Sequence, residues 1–261
     1  TFPVTENAST ATGNYPAGTG AYKFSYVTDD EVKLVRNDNW WKQAPNIDSV
    51  EFYARASNDV SLSSFTAGQL DMVFTSSLTV GRYREEANTA VLDMMTQTAE
   101  VMIVNYSNQY LRDVSVRRAL ICAINRSRII TNVYMNRART ADVPVPPDSW
   151  LYESKSAVYD YSEETAKNLL AGAGWADTDG DGFIEKDGNK YEEMTLRILV
   201  NDSSDAARKT AAEQIAAQLE AVGIHTELTV AAYTLGDDQS EYLVKLRSGE
   251  FDLALAGFNL G

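Results

Sequence analysis

The sequence is 261 residues long, 44% hydrophobic, and carries 37 acidic against 23 basic residues, a formal charge of −14. A chain of this length buries a substantial core in one domain or two. No apolar run approaches the ~18–20 residues that span a bilayer, and so acidic a surface repels phosphate backbones and anionic membranes, which argues against nucleic-acid binding. The single cysteine, Cys122, excludes an internal disulfide and sits in an apolar helical pattern, where an inert core thiol is expected.

Residues 1–15 are rich in Thr, Asn, Ala and Gly without apolar periodicity and read as an irregular lead-in. From Ala21 to about Ser107 short strands alternate with brief helices. Ala21–Thr28 and Glu31–Arg36 are strand-like, and Val50, Phe52 and Ala54 alternate with Glu51, Tyr53 and Arg55 at period two. Leu70-Asp71-Met72-Val73-Phe74 and Val101–Val104 are more continuously apolar, as buried strands tend to be. Asp113 is a good N-cap for a helix carrying Val116, Ala119, Leu120, Ala123 and Ile124. Asn125-Arg126-Ser127 interrupts it, and Ile129, Ile130, Val133 and Tyr134 resume it.

Pro144, Pro146 and Pro147 force an extended connection. Ser162 caps the next helix, whose first turn holds Glu163 and Glu164 where the dipole favours acid and whose stripe is Ala166, Leu169, Leu170 and Ala173. The last hundred residues read strand (Met194–Val200), helix (capped at Ser204 or Asp205, stopped at Gly223), strand (His225–Val230), helix (Asp238–Arg247) and strand (Phe251–Leu255). That alternation predicts an α/β layered domain. The chain begins at Thr1 and stops at Gly261 just past an apolar strand, so a fragment of a longer protein is expected.

Gly18-Thr19-Gly20-Ala21-Tyr22, Asn37-Asp38-Asn39-Trp40-Trp41, Ile47–Phe52 and Phe65–Asp71 occur in that order. Arg112–Leu120 with Ala123–Arg126, Ala141–Pro147, Tyr161–Leu170, Ala173-Gly174-Trp175, Ala212–Ile215, Gly223-Ile224 and Gly249–Leu253 follow. In this order and spacing, over about residues 16–261, the chain resembles the extracellular solute-binding family that includes the oligopeptide-, dipeptide- and nickel-binding receptors of ABC importers. The resemblance implies an α/β, periplasmic-binding-protein-like two-lobed fold, with lobe II nearly complete and lobe I partial. On that map residues 1–105 are partial lobe I, 106–256 are lobe II, and 257–261 begin the return hinge. It further implies a non-enzymatic receptor outside the cytoplasm, either a cell-surface lipoprotein or periplasmic. Such a receptor closes around a small solute, a peptide being expected with dipeptides, sugars and other solutes as alternatives, and delivers it to an ABC permease. No cofactor is required.

The hinge-proximal residues Asn105, Tyr106, Gly257, Phe258 and Asn259 are the candidate ligand contacts under this resemblance, with core packing the alternative for Phe258. Many peptide receptors of the family carry Trp at the place of Phe258 and, three positions on, an Asp that meets the peptide ammonium. Gly261 stands at that position, which argues against amino-terminus recognition of that kind. Thr19 and Tyr22 are expected to support the turn, Trp40 and Trp41 to pack, and His225, with no partner visible in sequence, to be structural or exposed.

Asp177, Asp179 and Asp181 stand at positions 1, 3 and 5 of a loop with Gly182 at 6 and Ile184 at 8, the first part of an EF-hand-like Ca²⁺ loop. Position 12 is Gly188 rather than a bidentate Glu, and a strand rather than a helix is expected to follow. A plain acidic turn is the alternative. Two further functions are weighed: a calcium-binding extracellular interaction module on Asp177–Glu185, and a hydrolase using paired carboxylates. The adjacent pairs Glu85-Glu86 and Glu163-Glu164 diverge on helical segments, and zinc spacings, a phosphate-binding loop and a nucleophile elbow are all missing.

Overall fold

The computed structural model describes residues 18–146, 149–153, 159–202 and 206–260. The lead-in, Pro147, Ser204, Asp205 and Gly261 therefore lie outside the described residues. The chain divides into two compact units, Thr1–Val91 and Leu92–Gly261. The sequence places its boundary near 105. The difference arises because the strand ending at Val104 is hydrogen-bonded along its length to the last strand of the chain and joins the second unit.

In the first unit β1 (Tyr22–Val27), β2 (Glu31–Arg36) and β3 (Ser49–Tyr53) form an antiparallel sheet in that order, with an irregularity between Phe24 and Tyr26. Helix α1 (Asn58–Thr66) starts where Ser57 accepts the Val60 amide. A 3-10 helix, Leu78–Glu85, presents Tyr83, whose ring meets Phe65 edge-on at 5.9 Å and whose hydroxyl lies 2.7 Å from that of Thr66. Leu62 and Tyr83 are the buried hydrophobic side chains of this unit among the described residues. Leu70–Phe74 is not the buried strand expected: no described strand pairs with it, and Met72 and Phe74 are 82% and 80% exposed. Its apolar run has no sheet neighbour among the described residues to bond its backbone.

The second unit follows the expected alternation. It contains β4 (Thr98–Val104), α2 (Val114–Ala123), α3 (Arg126–Asn132), α4 (Glu163–Gly172), and the short β5 (Trp175–Ala176), β6 (Glu185–Lys186) and β7 (Asn189–Glu193). After these come β8 (Thr195–Asp202), α5 (Ala207–Glu220), β9 (His225–Ala232), α6 (Glu241–Ser248) and β10 (Leu253–Asn259). Two predicted caps form: Asp113 accepts from the Ser115 amide and Ser162 from Thr165, while Asn125, at the interruption between the two helices, accepts from the Arg128 amide and caps the second. Gly223 adopts φ +87°, the left-handed terminator.

The main sheet has the order β4-β10-β8-β9, with β10, β8 and β9 mutually parallel and β4 antiparallel at the edge. Strand β8 is covered on both faces, which its near-continuous apolar run requires. Leu196, Ile198 and Val200 join Leu253 and Leu255 under α2, α4 and α5, whereas Leu199 and Ala254 meet Tyr242 of α6 and Phe251. Each fully buried Leu contributes about 1.5–3 kcal/mol relative to exposure. Cys122 lies in this core, and burial pushes its thiol pKa up, with Asp160 adding to it. No helix among the described residues is long and apolar enough to cross a membrane.

Candidate functional site

In open α/β sheets the carboxyl ends of the parallel strands are where ligands bind, because loops and helix starts converge there. Strand β8 ends at Asp202, and β10, three residues past its Ala254↔Leu199 pairing, brings Gly257 level with that end. Opposite Gly257 on β4 stands Glu100. Arg208 is in the first turn of α5, where a cation opposes the helix dipole and where no acidic side chain is present to offset it. Glu100 supplies the missing charge. Arg208 Nε donates to its Oε2 at 2.7 Å and Nη2 to its Oε1 at 2.6 Å, while Nη1 donates to Oδ1 of the buried Asn201 at 2.5 Å. The Glu100 hydrogen bond raises the guanidinium pKa above its ordinary value despite partial burial.

Gly257 makes that arrangement possible. Its φ lies outside the left-handed region, so its backbone does not require glycine. A Cβ there, however, would sit 2.6 Å from Arg208 Nη2 and 3.0 Å from Glu100 Oε1. The ion pair lies directly on the backbone of β10.

The five expected ligand residues are not brought to one place. Gly257, Phe258 and Asn259 are part of β10, paired with Glu100, Ala99 and Thr98. Asn105 and Tyr106 follow the other end of the ribbon, beyond Leu253↔Val104 and so roughly 20 Å from Phe258 at about 3.3 Å per residue. Asn105 serves the backbone there: its Nδ2 donates to the carbonyls of Gly249 (3.1 Å) and Phe251 (2.8 Å), and its Oδ1 accepts the Ser107 amide. The Tyr106 ring is exposed beneath the Arg117 guanidinium, 4.9 Å from its centroid. Phe258 is half-exposed, so it is not closed into a core.

Beside Asn105 is a pair that sequence did not reveal. Asp252, 4% exposed, accepts from Arg197 through Nε and Nη2, both at 3.0 Å, and through its amide at 2.8 Å. Burial alone would push the Asp252 carboxyl up. The hydrogen bonds from Arg197 and Asn108 and the guanidinium charge outweigh it and hold the group below the usual carboxylate range.

The acidic loop closes more completely than its spacing promised. Asp177, Asp179 and Asp181 converge with Glu185, the ligand oxygens all within 4.8 Å of one another. Glu185, at loop position 9, is buried and also accepts from the Thr178 amide and hydroxyl. Strand β6 rather than a helix leaves the loop, as expected. His225, expected to be structural or exposed, has a partner that sequence did not show: Nε2 is 2.9 Å from Glu193 and the ring stacks 3.4 Å from that of Phe183 in the loop.

In the first unit the Tyr22 hydroxyl donates to the Ile47 carbonyl at 3.0 Å, 25 residues on, rather than to the turn that precedes it. Trp40 and Trp41 meet edge-on at 6.5 Å, and Trp41 is exposed beneath Lys42 rather than packed. The sequence missed Glu100, Asn201 and Arg208. The available signal was an arginine in the first turn of a helix following a parallel strand.

Comparison with known proteins gives concordant matches. The family model described as bacterial extracellular solute-binding proteins, family 5 Middle, matches residues 2–261. The chain is 28% identical over 251 residues to the oligopeptide-binding protein AppA of Bacillus subtilis, covering 94% of this chain and 44% of that protein. It is 26% identical over 245 residues to the dipeptide-binding protein of Escherichia coli, covering 93% and 42%. Among solved structures, it is similar to Bacillus subtilis AppA in complex with a nonapeptide (TM-score 0.62, 25% identity, 92% of this chain and 47% of that one). It is similar also to NikZ of Campylobacter jejuni with Ni(L-His) (0.68, 21%, 93% and 46%) and NikA of Brucella suis with Fe(III)-EDTA (0.72, 22%, 92% and 48%). The chain thus spans about half the length of the proteins it matches.

Proposed function

This chain belongs to family 5 of the bacterial extracellular solute-binding proteins, and on that premise we propose that it is the central part of a receptor that captures a solute outside the cytoplasm and presents it to an ABC permease. The solute we assign is a peptide. Support comes from the match to an oligopeptide-binding and a dipeptide-binding protein over nearly the whole chain. The observation that carries the reading is a guanidinium already in bidentate geometry with a carboxylate at the carboxyl edge of the second unit's sheet. Peptides, L-histidine and EDTA all bear carboxylates, so this feature also suits the other ligands named for the family's solved structures. In this reading β4 and β10 are the crossings into and out of lobe II, and solute shifts the receptor from an open to a closed population.

The test is a panel of defined peptides added to the full-length receptor and followed by thermal unfolding. A bound peptide at about 100 times its Kd stabilises by about 2.7 kcal/mol. A rise with peptides and none with sugars supports the assignment; a rise only with a sugar or a metal chelate keeps the receptor and removes the peptide.

A second reading has its own observation. Four carboxylates within 4.8 Å suit a hard cation, and we propose Ca²⁺ in the Asp177–Glu185 loop, either as a structural ion of the receptor or as the basis of a calcium-dependent extracellular module. Dependence of folding on calcium would favour the module.

A further inference from the structure

We propose that the face built from α3, the turn that follows it and the Ser149–Tyr152 turn docks this protein on an anionic phospholipid bilayer. Arginines meet the lipid phosphates there, and Trp150 and Leu151 enter the headgroup layer. The proposal goes beyond the solute assignment above and does not depend on it; the two share only a protein that works beside a membrane.

The charge distribution is the first ground. Residues 112–139 hold seven arginines and a single acid, Asp113, in a chain whose net charge is −14. Arg112 and Arg117 are spent on backbone carbonyls near the start of α2, and Arg126 on Asp142 at 2.7 Å. Arg128, Arg137 and Arg139 have no carboxylate within ion-pair distance among the described residues, and Arg128 and Arg139 are exposed.

Two turns place apolar side chains among these cations. The Asn136 amide donates to the Ile130 carbonyl and the Thr131 hydroxyl to Asn136 Oδ1, both at 3.0 Å. They hold Met135 and Asn136, at φ +50° and +60°, against the end of α3 and leave Met135 exposed. Tyr152 shares an open cleft with Thr131, Asn136 and Arg139. Its amide donates to the Ser149 carbonyl at 3.0 Å, and the turn so closed carries Trp150 and Leu151 at its tip, 91% and 60% exposed.

A protruding indole with arginines around it has the composition of an interfacial anchor, because the ring favours the headgroup layer and long cationic side chains reach phosphate. The cleft beside it is open and lined largely by Ser127, Thr131, Asn136 and Thr140, which gives an anchoring side chain of a protein partner no closed apolar seat. The negative net charge does not oppose this docking. Charges are felt over about 8 Å at physiological salt, so an anionic surface attracts the near face and repels the rest, which orients the protein.

The experiment measures co-sedimentation of the full-length protein, free of lipid modification, with vesicles of phosphatidylcholine alone and of phosphatidylcholine mixed equally with phosphatidylglycerol. At about 0.1 M salt the anionic vesicles should bind on the order of 100-fold more tightly, three cations contributing about fivefold each. Arg128→Gln with Arg139→Gln should remove roughly 25-fold of that preference, and about 0.5 M salt most of what is left. Trp150→Ala with Leu151→Ala should weaken binding and abolish the shielding of tryptophan fluorescence from acrylamide that vesicles confer. These side chains are exposed, so thermal unfolding of both variants should match wild type and separate lost docking from lost fold. Equal binding to the two vesicles, or a preference unchanged in the arginine variant, overturns the proposal. So does a Trp150 already shielded from acrylamide before vesicles are added, which places protein over the tip. Capture by polyglutamate but not by anionic vesicles also overturns it and makes the face a seat for an acidic protein. Vesicles are offered without solute, so every one of these outcomes leaves the peptide assignment where it stands.

Discussion

Glu100 on β4 and Arg208 in the first turn of α5, 108 residues apart in the chain, meet at 2.6 Å over the bare backbone of Gly257. Three elements distant in sequence are tied at the carboxyl edge of the main sheet by one carboxylate, one guanidinium and the absence of one side chain. The glycine is a spatial requirement rather than a conformational one.

Gly257→Ala tests that requirement. The new methyl group would meet Nη2 at the far end of a flexible side chain, so the ion pair yields before the strand does. The expected cost is about 1 kcal/mol, at the low end for overpacking. Chemical denaturation of the variant against wild type measures it, and an unchanged midpoint would contradict the packing described.

Asn105→Ala should be more damaging. Its amide group satisfies the carbonyls of Gly249 and Phe251, and truncation leaves both without that donor. A loss of about 1–3 kcal/mol follows from unsatisfied buried acceptors. A loss below 0.5 kcal/mol (roughly the scatter of surface substitutions) would return Asn105 to the list of ligand contacts.

Asp252 predicts a pH dependence with a definite sign. Its folded pKa lies below the unfolded value of about 3.9, so its contribution to stability is fully present above that value and is lost as pH falls through the folded pKa. Asp252→Asn should destabilise at pH 7 by about 1–3 kcal/mol, since the amide gives up the charge-assisted bonds from Arg197 while that half-exposed guanidinium stays solvated. The gap between variant and wild type should narrow as pH is lowered from about 4. A gap constant from pH 7 to pH 2 would contradict the assignment.

Calcium in the Asp177–Glu185 loop predicts stabilisation that saturates. At an affinity of about 10⁻⁴ M, about 10 mM Ca²⁺ raises stability by about 2.7 kcal/mol, chelator removes it, and Asp179→Ala abolishes it. Identical unfolding curves in calcium and chelator would leave the loop an acidic turn.

What could be read from the sequence was local. Asp113 and Ser162 cap the helices they precede, Gly223 terminates α5 with its following turn, and the last hundred residues alternate as expected, because each signal lies within a few residues of its effect. Leu70–Phe74 failed for a physical reason: an apolar run states that burial is wanted, not what will pair with it. The site failed similarly. Asn105 and Phe258 both flank crossings in the chain, but the antiparallel register of β4 and β10 sends them to opposite ends of the ribbon. Glu185 ends the loop in sequence but is not among the expected ligands, because the EF-hand pattern looks for its last carboxylate at position 12, whereas here position 9 turns one back onto the cluster.

The most direct test of the central claim is mass spectrometry of the solute retained by the full-length receptor, compared under native and denaturing conditions. Peptides with free C-terminal carboxylates, released only on denaturation, are the result expected. A retained sugar, or an empty protein indifferent to every peptide offered, would contradict it.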